Sequence, residues 1–200
     1  MEVWTIGTIN NLTTLEYDDD THTYIVDGVI VPSITQMLSV KFGNKYAGIN
    51  KATLERAANR GTMIHKAIEE FCKTWEEDGT KEVHNFKFLA EYHALNPHAN
   101  EIPIILYRFC QPIAAGRVDI VADINGAPVI ADIKTTSVLD KEYLAYQLNL
   151  YRIGYAQSYG VSAKELYGIH LRDDKRKLVN IPVNEALAWE IVDEYERVNK

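Results

Sequence analysis

Three charged residues, Asp119, Asp132 and Lys134, lie in two short segments whose alternating pattern predicts neighbouring β-strands. The Asn-Gly pair at 125–126 between them is favoured in a two-residue type I′ turn. Such a turn sets a register in which paired residue numbers sum to 251. We therefore expect Asp119 to face Asp132 and Arg117 to face Lys134, with all four side chains on one face of the sheet.

Two carboxylates on directly opposite strand positions, with Cβ atoms about 4.5–5.5 Å apart, repel each other unless a positive charge lies between them. A divalent cation supplies that charge, and aspartate oxygens are hard ligands suited to Mg²⁺ or Mn²⁺. Lys134 would lie beside the ion. The spacing D-x(12)-D-x-K thus predicts a metal site with an adjacent ammonium group, and the alternative is a solvated, charged strand face.

Length and composition predict one domain over residues 1–200, since a chain of 200 residues that is 46% hydrophobic can bury about 70% of its unfolded surface. No repeat or linker interrupts it. Apolar runs are too short for a membrane span, and the N-terminus lacks a secretory apolar core. We expect a soluble cytoplasmic protein without membrane association. The two cysteines, Cys72 and Cys110, are expected to be core or near-core residues.

The net charge of −7 counts mildly against nucleic-acid binding, but its distribution is uneven. Residues 41–66 contain one acidic residue, Glu55, and six basic ones: Lys41, Lys45, Lys51, Arg56, Arg60 and Lys66. This stretch is suited to following a phosphate backbone, and an ordinary solvated helix face is an equally good interpretation of the segment alone.

The elements that position these residues follow from turn and cap signals. A hairpin is predicted at 23–31, and a capping box of Ser33 and Gln36 predicts a helix to about residue 40. Further helices are predicted at 52–77, 85–95 and 140–159, with strands at 102–110, 165–172 and 176–183 and a final helix capped by Asn184. The strand–helix–strand step over 132–172 predicts a right-handed parallel crossover and hence a mixed sheet.

Several side chains on these elements are further candidates. His65 lies beside the predicted buried stripe of the 52–77 helix, formed by Ile64, Ala67, Ile68, Phe71 and Trp75. It is either a core histidine or, if it lies near the aspartates, a metal ligand. Gly61, one turn earlier, would let another element approach closely. Glu101 belongs to the site or merely precedes a strand. Gln147 and Tyr151 share a helix face, and most tyrosines of that helix are expected to pack on the sheet with hydroxyls reaching water.

Four segments in this order resemble the PD-(D/E)xK nuclease superfamily, and within it the RecB-like branch that includes phage recombination exonucleases and the mitochondrial genome maintenance exonuclease. They are GTMIH at 61–65, GRVD at 116–119, DIKT at 132–135 and QLNLY at 147–151. The resemblance covers residues 24–171. It implies an α+β fold with a restriction-endonuclease-like αβββαβ core, a mixed central sheet flanked by helices, and added N-terminal hairpin and C-terminal hairpin-helix.

The resemblance also implies a role for each matched residue. Asp119, Asp132 and the Ile133 carbonyl would bind Mg²⁺ or Mn²⁺, with His65 joining them and Glu101 as a further candidate. Lys134 would position or deprotonate the attacking water and steady charge on the phosphoryl group. Gln147 and Tyr151 would orient the site residues or the DNA backbone. The four cysteines that hold an iron–sulfur cluster in some relatives are missing, so no cluster is expected.

The function expected from the resemblance is a metal-dependent exonuclease that acts on single- or double-stranded DNA ends in phage-type recombination, repair or replication. The compartment would be the cytoplasm of a bacterium or a phage-infected host, with a single-strand annealing or single-strand binding protein as a potential partner. The alternatives are a structure- or sequence-specific endonuclease and a non-catalytic DNA-binding relative. The residues expected to contact DNA are Arg60, Lys66, Arg117, Thr135 and Arg152.

Overall fold

Two β-sheets and five helices make up the part of the chain that the computed structural model describes, residues 1–7, 12–43 and 48–199. The smaller sheet is antiparallel, with strands in sequence order: β1 (Glu2–Gly7), β2 (Leu12–Asp18), β3 (Thr23–Val26) and β4 (Val29–Val31). The predicted hairpin at 23–31 is confirmed as β3 and β4. Strands β1 and β2 were not predicted.

The larger sheet also keeps its strands in sequence order: β5 (Leu95–Arg108), β6 (Gln111–Ile124), β7 (Ala127–Lys134), β8 (Glu165–Arg172) and β9 (Lys175–Ile181). Neighbours are antiparallel except β7 and β8, which are parallel. The mixed sheet, the β5–β6–β7 meander and the α+β class are therefore confirmed. The first of these strands begins at Leu95, well before the predicted residue 102.

The register of the β6–β7 hairpin follows the prediction from Ile124–Ala127 to Ile120–Ala131. Asn125 and Gly126 have φ values of 52° and 78°, as a type I′ turn requires. Pairing ends at Ile120–Ala131, one position before Asp119 and Asp132 would meet. Asp119 is therefore not paired with Asp132, and Arg117 is not paired with Lys134, contrary to the expectation.

The helices are α1 (Ile34–Phe42), α2 (Lys51–Thr74), α3 (Lys81–His93), α4 (Lys141–Tyr159) and α5 (Glu185–Val198). The Ser33–Gln36 capping box at the start of α1 is confirmed, as is the Asn184 cap of α5. Helix α2 ends before Trp75, which has a φ of 59° and is half exposed, so Trp75 does not belong to the buried stripe. Helix α3 starts at Lys81 because Thr80 caps it, four residues earlier than predicted.

The larger sheet is covered by helices on both faces. Buried residues of α1, α4 and α5 form one apolar cluster with strand residues such as Ile130 and Leu166. Buried residues of α2 and α3 form a second cluster with strand residues such as Ile120 and Val129. The smaller sheet packs on Ile105 and Ala115 through a third cluster. Burial of these apolar side chains, at about 25 cal/mol per Å², holds the layers together.

The two-residue turn between β5 and β6 is Phe109-Cys110, and both residues have positive φ, 50° and 62°. Phe109 is 88% exposed, and Cys110 is exposed as well. The expectation that Cys110 is a near-core residue was wrong, because the hairpin carries it to its outer end. Cys72 is partly buried on α2. No helix among the described residues is both long enough and apolar enough to cross a membrane.

Candidate metal centre and active site

Asp119 and Asp132 are both buried, and the charge of Asp119 acts on Asp132 although the two are not paired across the strands. The Oδ2 atom of Asp119 accepts a hydrogen bond of 2.7 Å from the backbone N–H of Ile133. The Asp119 carboxylate thus binds a backbone N–H of β7 just beyond the last paired residues of the β6–β7 ladder. This contact replaces the direct cross-strand facing expected from the register, and it brings Asp119 to the C-terminal end of β7.

Glu101 and His65 complete a cluster with Asp119. The Nδ1 atom of His65 lies 3.7 Å from Oε1 of Glu101 and 3.6 Å from Oδ2 of Asp119. One potential ligand atom from each of the three residues lies within 4.8 Å of the others. Glu101 does not open a strand: it lies inside β5 with a φ of 51°, a conformation that non-glycine residues rarely adopt. Glu101 therefore lies beside His65 and Asp119 and does not precede a strand.

The two nitrogens of His65 face different groups. Nε2 lies 3.1 Å from the Ile133 carbonyl oxygen, so this nitrogen donates its hydrogen and Nδ1 faces the carboxylates. Burial lowers the pKa of His65, but the negative charges of Asp119, Asp132 and Glu101 outweigh it and raise the pKa to about 9. In the metal-free protein at neutral pH, His65 is therefore an imidazolium that offsets the carboxylate charge. Its bond to the Ile133 carbonyl also occupies one of the predicted metal ligands.

Asp132 and Lys134 form a buried ion pair beside this cluster. Nζ of Lys134 lies 2.5 Å from Oδ2 of Asp132, a direct contact between the ammonium and the carboxylate. Burial raises the pKa of Asp132 to about 6, although Lys134 lowers it. Burial likewise raises the pKa of Asp119. The two buried carboxylates are thus incompletely compensated by the positive groups around them.

Gln147 and Tyr151 on α4 meet as their spacing predicted. The Gln147 amide donates a hydrogen bond of 3.0 Å to the Tyr151 hydroxyl, and both side chains are buried. Burial raises the pKa of Tyr151 well above its ordinary value, and the charges of Asp132 and Asp119 add to this effect. The Oε1 atom of Gln147 is buried and has no hydrogen-bond partner in the described part of the chain. Tyr151 is therefore a neutral hydroxyl near the aspartate charges, and Gln147 donates to it.

Two further residues shape this side of the site: Gly116, the first residue of the GRVD segment, and Tyr143, to which the sequence gave no role in the site. A Cβ atom at Gly116 would lie 3.3 Å from Cε1 of Tyr151, so the missing side chain allows the Tyr151 ring to pack there. The Tyr143 ring lies with its centroid 5.9 Å from Nζ of Lys134. Tyr143 is four residues before Gln147, and that helical spacing was the signal that could have identified it.

Arg60 and Thr135 lie together at the edge of the site. The Arg60 guanidinium donates to the Thr135 carbonyl oxygen at 3.3 Å and also binds Glu82. Gly61 leaves room for Thr135, but a Cβ there would make an ordinary contact of 3.6 Å, so the approach does not require glycine. Lys66 is exposed on the same helix.

The other two residues expected to contact DNA are engaged in contacts within the protein. Arg117 points to the smaller sheet and Glu101, with Nη1 3.4 Å from Oε2 of Glu2. Arg152 donates to the Ala163 carbonyl oxygen at 2.8 Å and to Glu185 at 2.6 Å. On α4 it lies about 100° around the helix from Tyr151, so it faces α5 instead of the site. Lys45 of the basic stretch lies outside the described residues.

The fold resembles that of a solved structure titled "Crystal structure of SSO0001", with a TM-score of 0.50 and 14% sequence identity. The alignment covers 85% of this chain and 77% of that one. At this identity the likeness concerns the fold alone. No family model matches the chain, and no curated protein matches it.

Proposed function

We propose that this protein is a metal-dependent deoxyribonuclease, and that it acts as an exonuclease on DNA ends. The observation that carries the proposal is the convergence of the buried pair Asp119 and Asp132 with His65, Glu101 and Lys134. Oxygen and imidazole donors, an ammonium group and two polar helix side chains lie around one point at the end of β7. This set of groups is suited to phosphodiester hydrolysis.

The donor set fits a divalent cation. Asp119 and Glu101 supply hard oxygen ligands, and Nδ1 of His65 faces both carboxylates at less than 4 Å. The raised pKa values of both aspartates indicate buried negative charge that more positive charge would stabilise. A bound Mg²⁺ or Mn²⁺ would offset charge on the phosphate oxygens and make a water molecule easier to ionise.

Lys134 supports the reaction from its place beside Asp132. Burial lowers its pKa, but the charges of Asp132 and Asp119 outweigh burial and raise it, so the side chain is an ammonium at neutral pH. An ammonium donates hydrogen bonds and cannot accept a proton. We therefore favour a role in holding the water and stabilising charge on the phosphoryl group over one as general base. The contact with Asp132 keeps Nζ in place.

Helix α2 supports DNA as the substrate. Its first turns, residues 51–63, contain no buried side chain in the described structure, and the helix becomes buried only from Ile64 onward. The exposed surface carries Lys51 and Arg56, and Lys66 follows on the next turn. A basic helix segment that leads to the carboxylate cluster through Arg60 suits a phosphate backbone.

Three parts of the proposal depend on the sequence resemblance. They are action as an exonuclease, a role in recombination, repair or replication, and a single-strand annealing or binding protein as partner. The same resemblance implies the cytoplasm of a bacterium or phage-infected host. An endonuclease of the same fold and a non-catalytic DNA-binding protein are the competing functions. An endonuclease should cut closed circular DNA, an exonuclease should need an end, and a non-catalytic protein should cut neither linear nor circular DNA.

The test is digestion of matched linear duplex, linear single-stranded and closed circular DNA, with Mg²⁺, Mn²⁺ or EDTA, by the wild type and by Asp132→Ala. The proposal expects metal-dependent loss of linear substrates alone, abolished by Asp132→Ala. Cleavage of the circles would indicate an endonuclease instead. DNA binding without any cleavage would favour the non-catalytic alternative.

A further inference from the structure

Arg117 contacts three elements around the site, although the sequence suggested a DNA contact for it. Its Nε lies 3.7 Å from Oε2 of Glu101 on β5, and its Nη1 lies 3.4 Å from Oε2 of Glu2 on β1. Its Cζ lies 4.9 Å from the centroid of the Tyr17 ring on β2. The guanidinium is thus fixed by the smaller sheet on one side and by Glu101 on the other.

Glu101 is the residue that links Arg117 to the carboxylate cluster. Its Oε2 faces Arg117, and its Oε1 lies 3.7 Å from Nδ1 of His65. The left-handed conformation of Glu101, with a φ of 51°, is unfavourable for a residue with a side chain and persists only where the surroundings impose it. The β5–β6 pairing runs from Asn100–Ile120 to Ile102–Val118 and does not include Glu101. The unchanged register on both sides places Glu101 opposite Asp119, and contacts with His65 and Arg117 define where its carboxylate lies.

We infer that Arg117 is a positioning residue that holds the Glu101 carboxylate in the cation site and thereby makes the smaller sheet a support of that site. The inference rests on the proposed function, because it presumes that the cluster binds a cation. Only arginine has a planar fork with fixed donors in different directions, which allows simultaneous contact with Glu2 and Glu101. Groups that orient metal ligands in this way typically change metal affinity about 10–100-fold when removed.

The experiment is a double-mutant cycle read out as Mn²⁺ affinity, measured by electron paramagnetic resonance on the full chain without DNA. The variants are Arg117→Gln, Glu101→Gln and the two combined. We expect Arg117→Gln to weaken Mn²⁺ binding about tenfold. In the Glu101→Gln background the same change should have no further effect, because the carboxylate that Arg117 positions is gone. The matched control is Arg176→Gln, which removes an exposed arginine stacked 3.8 Å over Phe88.

An Arg117→Gln variant with wild-type Mn²⁺ affinity would overturn the inference, as would an equal loss in the Glu101→Gln background. DNA affinity measured in EDTA distinguishes this inference from the DNA contact predicted from the sequence. Weaker DNA binding by Arg117→Gln with unchanged Mn²⁺ binding would make Arg117 a phosphate contact. If Arg117→Gln does not fold, Arg117→Lys replaces it, since lysine keeps the charge but cannot reach Glu2 and Glu101 together. A wild type that binds no Mn²⁺ would instead overturn the proposed function.

Discussion

The stability of the metal-free protein is predicted to fall between pH 6.5 and 9 because of His65. Burial lowers the pKa of this histidine, and Asp119, Glu101 and Asp132 raise it to about 9 from an ordinary value of 6.5. A pKa raised on folding gives stability that is complete below the unfolded-state value and lost as the pH rises through the folded-state value. At 1.36 kcal/mol per pKa unit, the loss over this interval is about 3 kcal/mol.

The assay is urea unfolding in EDTA at several pH values across that interval, with thermal melting as a second measurement. For a chain of this length, 3 kcal/mol corresponds to a decrease in Tm of roughly 6–12 °C. A cation at the site would compete with the proton on His65, so stabilisation by a fixed Mn²⁺ concentration should increase over the same pH range.

The variant His65→Gln should remove most of this pH dependence, because its amide can still donate to the Ile133 carbonyl but carries no titrating charge. The control His98→Gln, which removes a half-exposed histidine 2.6 Å from Asp123, should leave the dependence intact. Equal falls in wild type and His65→Gln would refute the assignment of the charge to His65.

Three further predictions concern the neighbouring residues. Lys134→Ala should retain Mn²⁺ binding but lower DNA cleavage by at least about 100-fold, measured as nucleotide release, and near-normal turnover would contradict its role. Asp119→Asn should lose the Mn²⁺-dependent increase in Tm, and an unchanged melting response would count against the cation site. Tyr151→Phe should lower the free energy of unfolding by about 1–3 kcal/mol in urea titrations, because the buried Gln147 amide loses its acceptor; a wild-type value would contradict this.

The sequence predicted the elements whose signals are local. Turn chemistry at Asn125-Gly126 gave the register of the β6–β7 hairpin, and the cap at Ser33 gave the start of α1. The apolar pattern indicated a start of α3 at residue 85, whereas the cap at Thr80 starts the helix at Lys81. Local pattern is informative where a turn or a cap is decided by adjacent residues.

Which residues form the site depends on contacts between distant parts of the chain, and local sequence pattern does not predict these. Register alone suggested that Asp119 and Asp132 face each other, but Asp119 accepts the Ile133 N–H and the ladder stops. The position of Glu101 follows from a left-handed backbone inside a strand, which no alternation rule predicts. The direction of Arg117 depends on strands β1 and β2, which were not predicted, so its neighbours were unknown.

The Phe109-Cys110 turn offers a natural attachment point for a spectroscopic label. Burial raises the pKa of the Cys72 thiol to about 11, so this thiol stays protonated near neutral pH, whereas Cys110 is exposed at the end of the hairpin. Thiol reagents attack the thiolate, and they should therefore modify Cys110 selectively in the unmutated chain. Cys110 lies nine residues before Asp119, about 30 Å along an extended strand. A fluorophore there would test the proposed DNA binding, because energy transfer would report where the end of a bound, labelled oligonucleotide lies.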